Sequence, residues 1–289
     1  MIAKAHLLRF DPTKPIPDMQ PLRDIKEEYR DWPRAELLSD ERLVDPCDYG
    51  VRGHSFYSKT RDSDVDKEPI PGVDPRAFLR LTVVHMYLAA NELFRDDPML
   101  NEIFGGPVEV FIAEGIRARR LQQYLHDEIA PRRLRREHPN WSEEQIMAGR
   151  HSVFPAPRPG QPTPHMTGGG SDAKPMYLGT DREVDMGFIP GREYSPLALL
   201  DYHEGYRPVE GLPVSTVARD HRRAFFWTML EVGFGANPTE FWHYNYGDQM
   251  WAWFMAEFFP LEFSVDLPPL AIYDEVDAGF NPPAPDAHD

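Results

Sequence analysis

Apolar residues recur at helical spacing through Phe78, Leu81, Val84 (or His85), Leu88 and Leu93. A residue returns to the same helix face about every 3.6 positions, so this stretch predicts an amphipathic helix. Asp74-Pro75 would open it and Asp96-Asp97-Pro98 would end it. The period then changes. Val108-Glu109-Val110-Phe111-Ile112 alternates and is rich in β-branched residues, which predicts a strand. Arg117 to Ala130 reads as a second helix stopped by Pro131. Asp172 to Leu178 suits a further strand. Asp220 to Val232 suits a helix with Phe225, Phe226, Met229 and Leu230 on its buried face, ended by Gly233-Phe234-Gly235. Thr239 to Tyr246 is aromatic and reads as a strand emerging from a loop. Trp227, Trp251, Trp253 and Phe254 read as core.

Between these elements the chain is punctuated by breakers. Residues 154–170, FPAPRPGQPTPHMTGGG, carry too much proline and glycine for long regular structure and mark a shaped loop. Gly168-Gly169-Gly170 permits positive φ or a close backbone approach. Residues 1–75 are rich in proline and charge and predict a largely irregular extension lying over the core, with 61–67 as a mobile loop. The main domain would run from 76 to 273, followed by a disordered tail over 274–289. Helices and strands mix without regular βαβ alternation, and no internal repeat is visible. The fold class expected is therefore α+β, with a single mixed or antiparallel sheet flanked by helices.

Composition narrows the functional classes. A net charge of −16 argues against nucleic-acid binding, which needs clustered Lys and Arg. The basic run Arg132-Arg133-Leu134-Arg135-Arg136 reads as the solvated end of a helix. Cys47 is the only cysteine, so no intramolecular disulfide can form. No apolar run approaches the ~20 residues needed to span a bilayer. The first residues lack a basic segment followed by an apolar stretch. A cytoplasmic protein without nucleic-acid or membrane partners is the expectation.

The chemistry concentrates in two segments. His165 and Asp172 stand seven residues apart across the glycines, and Glu240-Phe241-Trp242-His243 lies downstream. Two imidazoles and a carboxylate are a catalytic zinc ligand set, because three protein ligands leave one tetrahedral position to water. A nearby carboxylate can serve as general base. Asp172 is the better ligand, since the glycines permit a turn that points it inward with His165. Glu240 is the better base. In a regular strand Glu240 and His243 would face opposite ways, so Glu240 is expected in an irregular lead-in to its strand. The HExxH zinc helix is absent. The same residues also suit a glycine-rich turn capped by Asp172, with His243 packed among aromatics. His151, His203 and His221 can be read as surface or supporting residues.

These residues resemble the zinc D-alanyl-D-alanine dipeptidases (VanX-type), which are related to the D-Ala-D-Ala carboxypeptidase and hedgehog-type zinc folds. The family's His-x-x-Gly-x-x-x-Asp is matched by His165, Gly168 and Asp172, and its Glu-Trp-Trp-His by Glu240, Phe241, Trp242 and His243. Its Asp-Met-Gly is present as Asp185-Met186-Gly187. Its Arg-Arg helix ending in Gly-Phe is present as Arg222-Arg223 through Gly233-Phe234. Its arginine motif after a strand is matched by Glu114-Gly115-Ile116-Arg117-Ala118. The order agrees over roughly residues 75–250. The resemblance implies zinc on His165, Asp172 and His243, Glu240 as acid/base and Arg117 as electrostatic stabiliser of a small-peptide hydrolase. Gly205-Tyr206-Arg207-Pro208 matches the arginine motif more literally but follows the aspartate ligand and lacks a preceding strand.

The departures bear on substrate. Thr163 stands where the family has serine and keeps a hydroxyl. The aspartate that meets a dipeptide's amino group is missing from Gly187-Phe188-Ile189-Pro190-Gly191-Arg192-Glu193. Asp185 is a candidate substrate contact or, equally, a turn cap. A D-Ala-D-Ala-type dipeptidase is the leading reading. A tailoring enzyme acting on another amide in small-molecule biosynthesis, and a zinc-binding module without turnover, are the alternatives.

Overall fold

The computed structural model describes residues 10–59, 68–188, 196–259 and 269–276. Its centre is a five-stranded mixed sheet. The strands are, in chain order, β1 (Leu43–Val44), β2 (Arg52–Gly53), β3 (Leu79–Arg80), β4 (Val108–Glu114), β5 (Gly170–Tyr177), β6 (Gly235–Asn237) and β7 (Glu240–Asn245). The large sheet runs β2-β4-β5-β7-β6, and β1 and β3 form a separate antiparallel ribbon. Only the β2–β4 pair in the large sheet is parallel. The architecture is mixed α and β, consistent with the α+β class, and the ribbon is an addition to the expected single sheet.

One face of the sheet is the core. Val108, Val110 and Ile112 alternate inward along β4, and Ala173 opposes Ile112 on β5. The helices Leu81–Asp96 and Thr216–Glu231 supply Val84, Tyr87, Phe94, Phe225 and Phe226 to the same cluster. Trp227, Trp253 and Phe254 are buried there as expected, whereas Trp251 is only half-buried. Ile16, Met19, Tyr29 and Val51 from the proline-rich N-terminal stretch join this core, and β2 enters the sheet itself. Among the described residues no helix is long and apolar enough to cross a membrane.

Three expectations need correction. The first helix starts at Leu81, not near Pro75, because Leu79–Arg80 is extended against β1. Asp74 folds onto the Arg76 N–H instead of capping the helix. Segment 41–42 does that work: the Arg42 carbonyl takes the Leu81 N–H, and the Glu41 carboxylate takes that of Thr82. The buried stripe is accordingly Val83, Val84, Tyr87, Ala90 and Phe94. Second, Pro131 does not stop its helix. A π-turn over Leu125–Ile129 joins Arg119–Tyr124 to Ala130–Glu137, so Pro131 falls in the first turn of the new segment, where its missing N–H is not needed. Third, Arg133 in the basic run points inward over the Phe154 ring while Arg132, Arg135 and Arg136 face solvent.

The mobile loop expected at 61–67 lies outside the described residues, as does the tail beyond 276. Asp274, in the first part of that tail, pairs with Arg34, and Glu275 pairs with Arg119.

Candidate metal centre and cleft

The face of the sheet opposite the core carries the chemistry. Antiparallel pairing sets Asp172 on β5 directly across from His243 on β7, and cross-strand partners share a face. On the other side Glu114 of β4 opposes Asp172, after a register shift between Ile112 and Glu114. The extra residue in such a bulge re-aims the side chain that follows it, and Glu114 leaves the face of Val110 and Ile112.

His165 arrives from the proline-glycine loop. Pro164–Thr167 makes one helical turn, ended by Gly168 at φ 74°. The next two glycines are needed for proximity: a Cβ on Gly169 would lie 2.2 Å from the Tyr246 carbonyl, and one on Gly170 would lie 2.6 Å from Pro164. The loop therefore packs hard against the strand that follows it, and His165 is delivered beside Asp172.

The ligand atoms of His165, Asp172 and His243 all lie within 4.8 Å of one another. Asp172 Oδ1 is 3.3 Å from His165 Nε2 and 3.0 Å from His243 Nδ1. The other ring nitrogens are engaged. His165 Nδ1 meets the Gly115 carbonyl at 2.7 Å, and His243 Nε2 meets Asn245 Oδ1 at 2.8 Å. Both partners are acceptors, so each neutral ring can donate to its partner and leave the nitrogen beside Asp172 free to ligate, while a second proton on His243 Nδ1 would instead be donated to Asp172. Three ligand atoms so close can share a bound cation or a proton on one ring, and two imidazoles with a carboxylate suit a divalent metal.

Electrostatics agrees with that donor set. Burial, with Arg117 beside it, brings the His165 imidazole down to about 4, so it stays neutral. Burial works against the Asp172 charge, but His165 and Arg117 hold its carboxyl well below the ordinary range. His243 is the exception. Burial disfavours its charge, yet the hydrogen bond and charge of Asp172 raise it above the ordinary imidazole value. A proton on His243 would thus compete with a metal bound at this triad. Affinity for a divalent ion is expected to fall about tenfold per pH unit once pH drops below that raised value. Chelator competition between pH 8 and pH 5 would measure it; a hundredfold fall per unit would mean that a second ligand is being lost.

Around the three ligands stand the other residues singled out in the sequence. Arg117 Nη2 bonds Asp172 Oδ2 at 2.8 Å, and its guanidinium lies over the Tyr57 ring. Burial opposes the Arg117 charge, but Tyr57, Asp172, Glu114 and Glu240 raise its pKa. Its Nε is buried with no hydrogen-bond partner among the described residues. Glu240 Oε2 is 3.8 Å from His243 Nδ1. The two share a site because the β6–β7 pairing shifts register: Ala236 opposes Tyr244, but Asn237 opposes Glu240. Thr163 is buried, and its hydroxyl has no hydrogen-bond partner among the described residues. Asp185 is exposed, and its carboxylate accepts the Gly187 N–H at 2.8 Å. All seven candidates line one cleft of about 960 Å³. Arg207 does not: it sits half-exposed in a two-pronged pair with Asp18.

The sequence assigns no role of their own to Glu114, Asn245 and Arg222, which shape the site. Glu114 is fully buried, receives the Ser55 hydroxyl, and is pushed up to about 7 by burial despite Arg117. Asn245, which orients His243, follows it by two positions on the same strand face, a spacing that could have been noticed. Arg222 is buried with no carboxylate partner among the described residues. It donates to the carbonyls of Met186, Leu197 and Leu199 and stacks on Phe241, tying the Asp185–Phe188 wall to its helix. His203 meets the Gly187 carbonyl and His221 the Asp185 carbonyl, so both support that wall. His151 lines the cleft. Residues 189–193, where the family's amine-binding aspartate is missing, lie outside the described residues.

No family model matches the chain. It is similar to a D-alanyl-D-alanine dipeptidase of Synechocystis sp., with 32% identity over 110 residues. That match takes in 36% of this chain and 44% of the relative, so the chain spans less than half the length of the protein it matches.

Proposed function

We propose that this chain is a zinc-dependent amide hydrolase for small peptides, of the D-alanyl-D-alanine dipeptidase type and with the corresponding hedgehog/DD-peptidase-like fold. The observation that carries the reading is one cleft holding His165, Asp172 and His243 within 4.8 Å of one another, Glu240 beside His243 and Arg117 on Asp172. The similarity to a dipeptidase over part of the chain supports it.

His165, Asp172 and His243 would hold the zinc, which would supply a water acidified to about neutral pH and an electrophile for the substrate carbonyl. Glu240 takes the water proton on its carboxylate and returns it to the departing amine. Arg117 presents buried positive charge toward the oxygen on which negative charge develops. The unpartnered Thr163 hydroxyl hydrogen-bonds the substrate. Asp185 stands at the exposed edge, where a cationic group can meet it.

The test is amine release from D-alanyl-D-alanine by zinc-loaded protein. Release should vanish on chelation and return with zinc. Zinc-bound protein that releases nothing would overturn the dipeptide assignment. A second reading, a different and larger amide, is favoured by the cleft volume, which sits at the top of the ~300–1,000 Å³ range of small-molecule sites. A panel of N-blocked amides distinguishes the two.

A further inference from the structure

The turn between β6 and β7, Asn237-Pro238-Thr239-Glu240, is organised around one buried amide. Asn237 Oδ1 accepts both the N–H of Thr239 at 3.1 Å and its hydroxyl at 2.8 Å. With the oxygen so occupied, Nδ2 is turned to Glu240 and donates to Oε2 at 2.8 Å. The Thr239 hydroxyl in turn receives the Lys26 ammonium at 2.7 Å. An ammonium only donates, so every bond in the chain has a definite direction, from Lys26 to Thr239, from Thr239 to Asn237, and from Asn237 to Glu240.

The turn is also held from outside. The Pro238 carbonyl accepts Arg23 Nη1 and the Leu200 N–H, each at 3.3 Å, and Arg23 is fixed by Asp201 at 2.7 Å. Lys26 and Arg23 both come from the N-terminal stretch, more than 200 residues away in sequence from the turn they grip. A glutamate's terminal torsion is broad, and a free Glu240 would sample many carboxylate orientations. Anchoring Oε2 removes that freedom at the place where a proton must be taken and returned.

We infer that Asn237, backed by Thr239 and Lys26, is the positioning residue for the Glu240 carboxylate, and that the N-terminal stretch is thereby part of the working site. The inference rests on Glu240 being the acid/base of the proposed function. Preorganised groups lose rate steeply when misplaced, because the productive geometry must then be found in each turnover.

The experiment uses the full zinc-loaded chain with D-alanyl-D-alanine as probe. Asn237→Asp keeps the oxygen that Thr239 needs and removes the donor to Glu240. It should lower kcat by about 10- to 100-fold while leaving KM within about twofold, with zinc content and Tm unchanged. Lys26→Met should lower kcat less, and Lys26→Arg should restore most of it. An unchanged kcat in Asn237→Asp, or a loss that follows Tm or zinc content, would overturn the inference. Crystal structures of wild type and Asn237→Ala give a readout independent of turnover: a displaced Glu240 carboxylate supports the chain, and an unmoved one overturns it. If wild type releases no amine, the dipeptidase reading fails on its own, and the two structures still decide the role of Asn237. Should Asn237→Asp fail to fold, Lys26→Met carries both readouts.

Discussion

Glu240→Gln should lower amine release by roughly 10²–10⁴-fold with the metal still in place. The amide has nearly the same shape as the carboxylate and can still accept from Asn237 Nδ2 through its oxygen, so the local geometry survives. What is lost is the site that takes up a proton. None of the three ligand side chains is altered, and zinc content should stay near one per chain. Glu240→Ala should reach the same rate floor, because among the described residues no other carboxylate outside the triad stands within ion-pair distance of His243. Asp172 is engaged by His165, His243 and Arg117, Glu114 is fully buried, and Asp185 is bound to its own turn. Steady-state amine release with metal analysis on the same samples decides the matter. A tenth or more of wild-type turnover in zinc-loaded Glu240→Gln would remove Glu240 from the acid/base role.

Arg117→Ala should cost about 10²–10³-fold in kcat, equivalent to ~3–4 kcal/mol of transition-state stabilisation. The guanidinium is buried between Asp172 and the Tyr57 ring, so its charge is poorly screened. Removing it also deprives Asp172 of a cation that holds its carboxyl down, so metal affinity should weaken in the same variant. Assay at saturating zinc separates the two effects. Arg117→Lys keeps the charge but not the planar fork, and should recover only part of the loss. Arg207→Ala, which breaks an exposed pair with Asp18, should leave turnover near wild type. Equal losses in Arg117→Ala and Arg207→Ala would reverse the choice between the two arginine motifs.

The elements that were legible in the sequence are those with a strong local period. β4 and the Thr216–Glu231 helix lie where alternation and the helical stripe put them, and the latter begins after the serine cap Ser215, upstream of Asp220. The first helix was misplaced at its start because its cap is tertiary. Glu41 and Arg42 close its N-terminus from 40 residues upstream, and no local signal reports that. Pro131 misled for a related reason, since a π-turn before it supplies a break that a proline rule does not anticipate.

The candidate site divides in the same way. The residue types and glycine spacing of His165, Asp172, Glu240 and His243 are visible in the chain itself. Strand periodicity even exposed the conflict between Glu240 and His243, which the register shift in β6–β7 resolves. Asn237, Glu114 and Lys26 were not legible, because each acts through one hydrogen bond or one burial that depends on strand register or on a distant segment, whereas Asn245 stands at a local spacing from His243. Sequence by itself determined which groups are available and which local elements carry them, since propensity, period and donor chemistry are properties of short stretches. Only the tertiary structure decided which groups meet, at what distance and in which protonation state, because register, burial and the direction of a hydrogen-bond chain are set by contacts between segments far apart in the chain.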